Sequence, residues 1–179
     1  NEMPPQITKS REKLPCDASG PACIFIYKTI SESHIGEMSF FKVYSGTIKS
    51  GMELENETTG ATEKINQLFL IEGNKRTPIN ELVAGDIGAT LKLKNTHVNN
   101  TLHAKGKNYD LPSIEFPLPN MTVAIELNKK GEEEKLSHAL HQLREEDPTL
   151  LVEVSPELKQ TLIHCQGDMN LAVAKWKIE

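Results

Sequence analysis

Residues 39–52 constrain the fold more than any other stretch, because an alternating strand pattern there runs between two Ser-Gly pairs. On an extended backbone Phe41 and Val43 point to one side and Lys42 and Tyr44 to the other. This two-residue alternation is typical of a half-buried β-strand. Ser45-Gly46 and Ser50-Gly51 then predict two tight turns around a second short strand. The stretch therefore predicts a β-hairpin that needs partner strands on either side.

Three other segments supply candidate partner strands. Residues 22–29 are apolar on both faces, residues 63–71 end in the run Leu-Phe-Leu-Ile, and residues 87–93 alternate as a closing strand. A strand that is apolar on both faces needs cover on its outer side as well as on its inner side. We therefore expect residues 21–105 to form a small closed β-barrel.

The segments that connect these strands are polar. Residues 56–60 predict a turn, residues 72–78 predict a polar loop with adjacent cations, and residues 84–86 predict a tight turn because Gly85 can adopt positive φ. Residues 1–20 contain three prolines and no periodic pattern. We expect them to form an irregular lead-in, such as a connector from a preceding domain. The chain starts without methionine, which favours an excised fragment.

Residues 106–120 change character and predict a linker, since three prolines favour an extended backbone there. Residues 121–179 then predict the order strand, helix, strand, strand, helix. That order is the one of a ferredoxin-like split βαβ unit whose last strand is missing. We therefore expect an incomplete ferredoxin-like α+β domain. Its predicted elements are strands 122–127, 150–154 and 160–165 and helices 131–146 and 168–177.

Apolar spacing indicates the core of this second domain. Leu136, Leu140 and Leu143 recur at helical spacing along the first helix, and Asp147-Pro148 ends it because the residue before proline is pushed out of helical geometry. The second helix offers apolar residues for the same core. The positions expected to be buried there are Ala172, Val173 and Trp176.

Charge and cysteine content narrow the function classes. Residues 21–105 hold nine Lys and Arg against nine Asp and Glu, whereas residues 112–179 hold seven against twelve. Neither half is a broadly basic nucleic-acid binder, so we expect no DNA partner, and RNA contact only through a few placed cations. Three cysteines without a CxxC pair and no secretion signal indicate a reducing compartment. The longest apolar run, residues 22–27, is too short to span a bilayer, so we expect a cytoplasmic protein without a membrane partner.

The motifs in this chain predict no catalytic, cofactor-binding or metal-binding residue. A P-loop is written GxxxxGK[ST], whereas Gly106-Lys107 lacks both the first glycine and the final hydroxyl residue. His138 and His141 lie three apart on a predicted helix, which favours a solvated face over shared metal ligation. Cys165 lies in a predicted strand where His164 faces the other way, so we expect a core thiol.

Five motifs in a fixed order resemble one protein family. Phe-Phe-Lys-Val-Tyr-Ser-Gly-Thr with Lys-Ser-Gly-Met is followed by Asn-Lys-Arg, Ala-Gly-Asp-Ile, Glu-Phe-Pro and Glu-Glu-Asp-Pro-Thr. These sequences resemble domains II and III of the translational GTPases, and of elongation factor G above all. The resemblance spans residues 22–178 and implies a translation-factor β-barrel followed by a ferredoxin-like domain. The motifs lie at residues 40–47 with 49–52, 74–76, 84–87, 115–117 and 145–149.

The resemblance implies that the chain is the non-catalytic middle of a ribosomal GTPase. In that family the second domain packs against the GTPase domain and its loops approach small-subunit ribosomal RNA, while the third domain relays the nucleotide state toward the tip domain. The parent would bind GTP and Mg²⁺, and this chain would contact the ribosome and the GTPase domain. For Phe40 and Tyr44 the alternative stays open that they only cover the barrel, and for Gly46 that it only makes the turn. The contact residues that the resemblance implies are Phe40, Lys42, Tyr44, Ser45, Gly46, Lys49, Lys75, Arg76, Gly85 and Asp86.

At several positions the sequence differs from the motifs usual in this family, which favours a divergent copy of the bacterial factor or a paralogue. Lys92 stands where family members commonly have glycine, and Asn99-Asn100 stands where they have a Gly-Asp turn. Asparagine tolerates positive φ, so we expect the turn to survive. Residues 167–171 lack a histidine that the family usually has. The open alternatives are a ribosomal-protection or recycling paralogue and a self-contained RNA-binding or protein-interaction module.

Overall fold

A computed structural model of the chain describes residues 6–8, 13–32, 35–125, 131–155 and 160–178. The chain divides into two compact units, Asn1–Ile114 and Glu115–Glu179, called unit 1 and unit 2 below. Unit 1 consists of strands and unit 2 of strands and helices, which confirms the predicted fold class of a β-barrel-like domain followed by an α+β domain.

An eight-stranded antiparallel sheet forms most of unit 1, with the order β7-β6-β12-β3-β4-β11-β8-β9. Two short pairs, β1-β2 and β10-β5, accompany it. The strands of the unit are β1 Gln6–Ile7, β2 Lys13–Leu14, β3 Cys23–Glu32, β4 Gly36–Ser45, β5 Thr47–Lys49, β6 Glu53–Asn56, β7 Thr62–Lys64, β8 Leu68–Glu72, β9 Lys75–Ile79, β10 Glu81–Val83, β11 Ile87–Leu91 and β12 Thr101–His103.

The core of unit 1 shows that the long sheet curls on itself. Ile24 of β3 and Phe41 of β4 are fully buried in one cluster in the middle of the sheet order. Leu54 of β6 and Leu68 of β8, which lie toward opposite ends of that order, belong to the same cluster. Residues from both ends can share a core only if the sheet closes around them, which is the barrel-like arrangement expected from the alternating patterns.

The outer side of β3 is covered, as its two apolar faces predicted. Cys23 and Phe25 pack there in a second cluster with Leu14 and Leu111. Leu14 is only 1% exposed and belongs to the β1-β2 pair. The prediction of an irregular lead-in was therefore wrong for Gln6–Ile7 and Lys13–Leu14, which form two short strands, and Leu14 of β2 covers the outer face of the sheet.

The predicted hairpin over residues 39–52 was also wrong. β4 ends at Ser45, and β5 pairs with β10 in a separate two-stranded sheet. Gly46 lies between them at a φ of 75°. Its N–H donates to the Asp17 carbonyl (2.8 Å) and its carbonyl accepts from the Ala84 N–H (2.9 Å). These two hydrogen bonds turn the chain away from β4 instead of returning it alongside.

One predicted strand and one predicted loop differ from the structure, and two predicted turns match it. The single strand predicted over residues 63–71 is two strands, β7 and β8. Ile65 lies between them, where it is buried and its N–H donates to the Met52 carbonyl (2.8 Å). Lys75 and Arg76 lie in strand β9 and not in a polar loop. The predicted turns near residues 58 and 85 are both present.

The predicted positive φ at the Asn99-Asn100 turn is confirmed. Asn99 has a φ of 72°, and Lys92 has a φ of 62°, so two non-glycine residues adopt the left-handed conformation that glycine favours. Asn99 also hydrogen-bonds Ile114 twice through its side chain: Oδ1 accepts from the Ile114 N–H (2.8 Å) and Nδ2 donates to the Ile114 carbonyl (3.0 Å). The asparagine thus preserves the turn and attaches the segment that follows the barrel.

We expect Lys92→Gly to raise the free energy of unfolding of unit 1. The left-handed conformation costs an L-residue about 1–2 kcal/mol, and the greater freedom of glycine in the unfolded chain offsets about 0.4–1 kcal/mol of that gain. A net gain of about 0.5–1 kcal/mol should appear in urea unfolding followed by the circular dichroism of the tyrosines, all three of which lie in unit 1. Lys94→Gly is the control, since Lys94 is also exposed but has no positive φ. Stabilisation by both changes would contradict the explanation.

Unit 2 has the element order and sheet order of a ferredoxin-like unit. Its elements are β13 Met121–Ile125, α1 Glu133–Glu146, β14 Leu151–Ser155, β15 Gln160–Cys165 and α2 Asp168–Ile178. The described strands form an antiparallel sheet with the order β13-β15-β14. This places the third strand between the first two, as a split βαβ topology requires. The end of the first strand predicted at residues 126–127 lies outside the described residues.

The helices of unit 2 confirm one prediction about the core and overturn another. Leu140 and Leu143 of α1 are buried with Cys165, which confirms the predicted stripe and core thiol. On α2, however, Val173 and Trp176 are 49% and 77% exposed, and Ala172 is exposed as well, so their predicted burial was wrong. Leu171, Ala174 and Ile178 pack in the core instead. This helix has apolar residues on all of its sides, so its sequence alone does not show which side faces the core.

Candidate functional site

One outer face of the unit 1 sheet presents aromatic and cationic side chains together. Phe41 and Val43 of β4 point into the core, so the alternate residues of that strand point outward. The outward residues meet two side chains of the neighbouring strand β3. We call this surface the β3–β4 face; its members are Tyr27, Lys28, Phe40, Lys42 and Tyr44.

Two β-bulges shape this face. Ile26 pairs with Phe41 and Lys28 with Phe40, which leaves Tyr27 as an extra residue on β3. A second register shift, between Cys23 and Ile24 of β3, leaves Tyr44 as an extra residue on β4. A bulge bends its strand and redirects a side chain. Both tyrosines of the face therefore sit at points where the register is interrupted.

The cations of the β3–β4 face lie against aromatic rings. The Lys42 Nζ atom is 5.5 Å from the centroid of the Tyr44 ring, and the Lys28 Nζ atom is 5.8 Å from that of Phe40. The Phe40 ring is 6.5 Å from the Tyr27 ring, and Phe25 meets the Tyr44 ring edge-on, also at 6.5 Å. Cation–π attraction of this kind is worth about 0.5–1 kcal/mol at an exposed site and favours one position of the ammonium group on the surface.

A groove of about 360 Å³ lies beside these rings. Burial raises the pKa of the Tyr27 and Tyr44 hydroxyls, so both remain protonated and able to donate hydrogen bonds at neutral pH. Burial also raises the pKa of the Cys23 thiol to about 12, which makes it unreactive. The groove is lined by Phe25, Tyr27, Lys42, Tyr44, Ile87, Leu111, Pro112 and Ile114.

Four of the predicted contact residues lie at or next to the end of β4. Ser45 and Gly46 are buried, so they support the surface without offering a side chain to it. The Gly85 N–H donates to the Val43 carbonyl (2.8 Å), and the Asp86 carbonyl accepts from the Val43 N–H (2.9 Å). The Asp86 side chain in turn accepts from the Val83 N–H (2.9 Å), which closes the turn.

The remaining predicted cations are distributed over other strands. Lys49 lies on β5, where its Nζ atom is 3.7 Å from a Glu81 carboxylate oxygen in an exposed ion pair. Arg76 of β9 lines a second pocket together with Phe40, so the structure brings this arginine to the edge of the β3–β4 face. Lys75 is exposed at the start of β9.

Sequence reasoning missed several residues of this site. Tyr27 and Lys28 form the other half of the β3–β4 face, and the only sequence signal for them is an aromatic residue beside a lysine at the end of an apolar strand. Leu111 and Ile114 line the groove although they fall in the segment predicted to be a linker. Asn99 fixes the latter through the two side-chain hydrogen bonds described above.

The described residues form neither a metal-binding cluster nor a membrane-spanning helix. No cluster of three or more histidine, cysteine, aspartate or glutamate side chains in that part of the chain could hold a metal ion. His138 and His141 are exposed on α1. Within the same described ranges, the helices are too short or too polar to cross a membrane.

Comparisons with known proteins identify the family. The family model for elongation factor G domain 2 matches residues 21–105, and the model for elongation factor G, domain III, matches residues 116–179. A crystal structure of a protein from Thermus thermophilus is 26% identical, with a TM-score of 0.79 over 89% of this chain. The match covers 24% of that chain, so this chain spans about a quarter of its length.

A β-barrel-like unit followed by a ferredoxin-like unit is thus a pair of translation-factor domains. The chain belongs to the elongation factor G family and contains the second and third domains of that family.

Proposed function

We propose that the chain is the non-catalytic middle of a ribosomal GTPase and that unit 1 contacts ribosomal RNA. The observation that carries this proposal is the β3–β4 face, where Lys28 and Lys42 are held against aromatic rings on the outside of the domain 2 barrel. Ammonium groups on this surface can neutralise phosphates and release their counterions. Arg76, at the edge of the same face, adds a further cation.

Under the same proposal, GTP and Mg²⁺ bind to another part of the parent protein. Gly106-Lys107 lies in a turn within a stretch of irregular backbone, residues 104–120, and not in the strand–loop–helix arrangement that cradles phosphates. The GTPase domain of the parent is therefore the partner of these two units within one polypeptide. Unit 2, the ferredoxin-like domain, would transmit the nucleotide state of that domain.

The first test of this function is the salt dependence of ribosome binding by the full-length parent. Each phosphate that a lysine neutralises releases counterions, so Lys42→Gln should lower the slope of log affinity against log salt by about 0.7 for a single-stranded contact or about 0.9 for a duplex contact. Ribosome co-sedimentation at several salt concentrations measures this slope.

The matched control for this measurement is Lys64→Gln. Lys64 is equally a strand lysine, but it is exposed on β7, at the edge of the sheet and separated from β4 by three strands. We expect its replacement to leave the slope unchanged. Equal slopes for wild type and Lys42→Gln would show that Lys42 makes no phosphate contact.

A further inference from the structure

We infer that the groove beside the β3–β4 face binds single-stranded nucleic acid, with one unpaired base against the tyrosines and its phosphate at Lys42. This inference rests on the proposed ribosomal RNA contact and specifies what kind of RNA the site takes. The groove is concave and about 360 Å³ in volume, and it lies entirely within unit 1.

The composition of the groove favours an anionic, flat ligand. The Lys42 ammonium is the only charge among the eight residues that line it, so no lining carboxylate repels a phosphate. Across the sheet Lys42 stands between Phe25 of β3 and Ile87 of β11, its direct partners in the register. The cation therefore has an apolar side chain on either side of it across the sheet.

The aromatic residues supply the stacking surface. Tyr27 and Tyr44 lie at the two bulges, half-buried, with their hydroxyls protonated. Proteins that bind single strands combine a cationic track for the backbone with aromatic rings on which bases stack. The β3–β4 face repeats this combination, since Lys28 lies over Phe40 one step along the strands from the pair that Lys42 makes with Tyr44.

An unpaired base fits this site better than a base in a duplex. In double-stranded RNA both faces of each base are covered by neighbouring bases, so a groove lined by rings cannot reach them. The opposite wall also depends on a fixed position of Ile114, which the side chain of Asn99 holds through two hydrogen bonds. These bonds fix the backbone of this wall before any ligand binds.

A titration of this chain with single-stranded oligoadenylate tests the inference. Amide chemical shifts followed by nuclear magnetic resonance should change for Tyr27, Tyr44 and Ile87. Tyr44→Leu should weaken binding about fivefold or more, because it removes the ring on which the base stacks. Lys42→Gln, which changes a surface charge without altering the core, should weaken it as well and guards against a folding defect in the first variant.

Matched comparisons make the result specific. Trp176→Leu is the same type of change at an aromatic residue of unit 2 that is 77% exposed, and it should leave affinity unchanged. A duplex RNA of equal length should bind at least tenfold more weakly than the single strand. A proline-rich peptide, which the apolar walls could also accept, should not shift the groove amides.

Four results would overturn the inference: no shift at the groove with oligoadenylate, equal affinity for the duplex, equal loss in Trp176→Leu, or binding of the peptide in place of the RNA. Each of these would leave the ribosomal contact itself standing, because the salt slope of the parent reports phosphate neutralisation without regard to base stacking. If Lys42→Gln lowers the salt slope of the parent but oligoadenylate does not bind the groove, the inference alone is rejected and the ribosomal contact stands.

Discussion

Gly46→Ala is expected to destabilise unit 1 by about 2–5 kcal/mol. A methyl group on this residue would lie 2.6 Å from both the Cα and N atoms of Ala22 and 2.8 Å from the Gly20 carbonyl oxygen, all of which are backbone atoms that cannot rotate away. Over-packing of this kind costs about 1–3 kcal/mol, and the φ of 75° adds about 1–2 kcal/mol for an L-residue. Urea unfolding followed by tyrosine circular dichroism measures the loss.

Gly51→Ala separates the two contributions. Gly51 has a φ of 85°, but a methyl group there would meet no atom within 4 Å. We expect this control to cost only the conformational part, about 1–2 kcal/mol. If the two variants unfold at the same urea concentration, the close approach of Gly46 to Gly20 and Ala22 contributes nothing to the stability of unit 1, and the packing part of the explanation is wrong.

Glu63→Ala is expected to lower the stability of unit 1 by about 2–4 kcal/mol, because it removes the partner of two part-buried amides and one buried hydroxyl, and a buried donor left unpaired costs about 1–3 kcal/mol. Glu63 is 4% exposed, and its carboxylate accepts hydrogen bonds from the N–H groups of Lys94 (3.0 Å) and Asn95 (2.5 Å) and from the Thr96 hydroxyl (3.1 Å). Asn56 joins the same network by donating to the Thr96 hydroxyl (3.2 Å).

The effect of this change should extend to the candidate site. The segment that Glu63 holds leads to Asn99, whose side chain fixes Ile114 on the wall of the groove. Hydrogen exchange at the amides of residues 94–100 should therefore accelerate in Glu63→Ala. Glu53→Ala is the control, since it removes the same charge from an exposed position and should stay within about 0.5 kcal/mol of wild type. Equal destabilisation by both changes would contradict the network.

The parts of the fold that local patterns determine were predictable from the sequence. Alternation placed Phe41 and Val43 in the core, and the two apolar faces of β3 required the outer cover that Leu14 and Leu111 provide. Helical spacing placed Leu140 in the core of unit 2. In each case the residue and its near neighbours in the chain contain enough information to decide which side is buried.

The parts that depend on distant residues were not predictable. Gly46 signals a turn, but the partner of the next strand is set by hydrogen bonds to Asp17 and Ala84, far away in the chain. The bulges at Tyr27 and Tyr44 exist only in the register between two strands. The candidate site depends on these features, so its shape required the structure even though three of the five residues of the β3–β4 face lie in a family motif.

Site-directed crosslinking in the parent bound to ribosomes tests the central claim most directly. A photoreactive amino acid replaces Lys42 on the β3–β4 face in one variant and Lys64 on β7 in another. The proposed contact predicts crosslinks to ribosomal RNA from position 42 and few or none from position 64. Crosslinks from position 64 alone, or none from position 42 while the parent remains bound, would show that this face of the barrel does not contact ribosomal RNA.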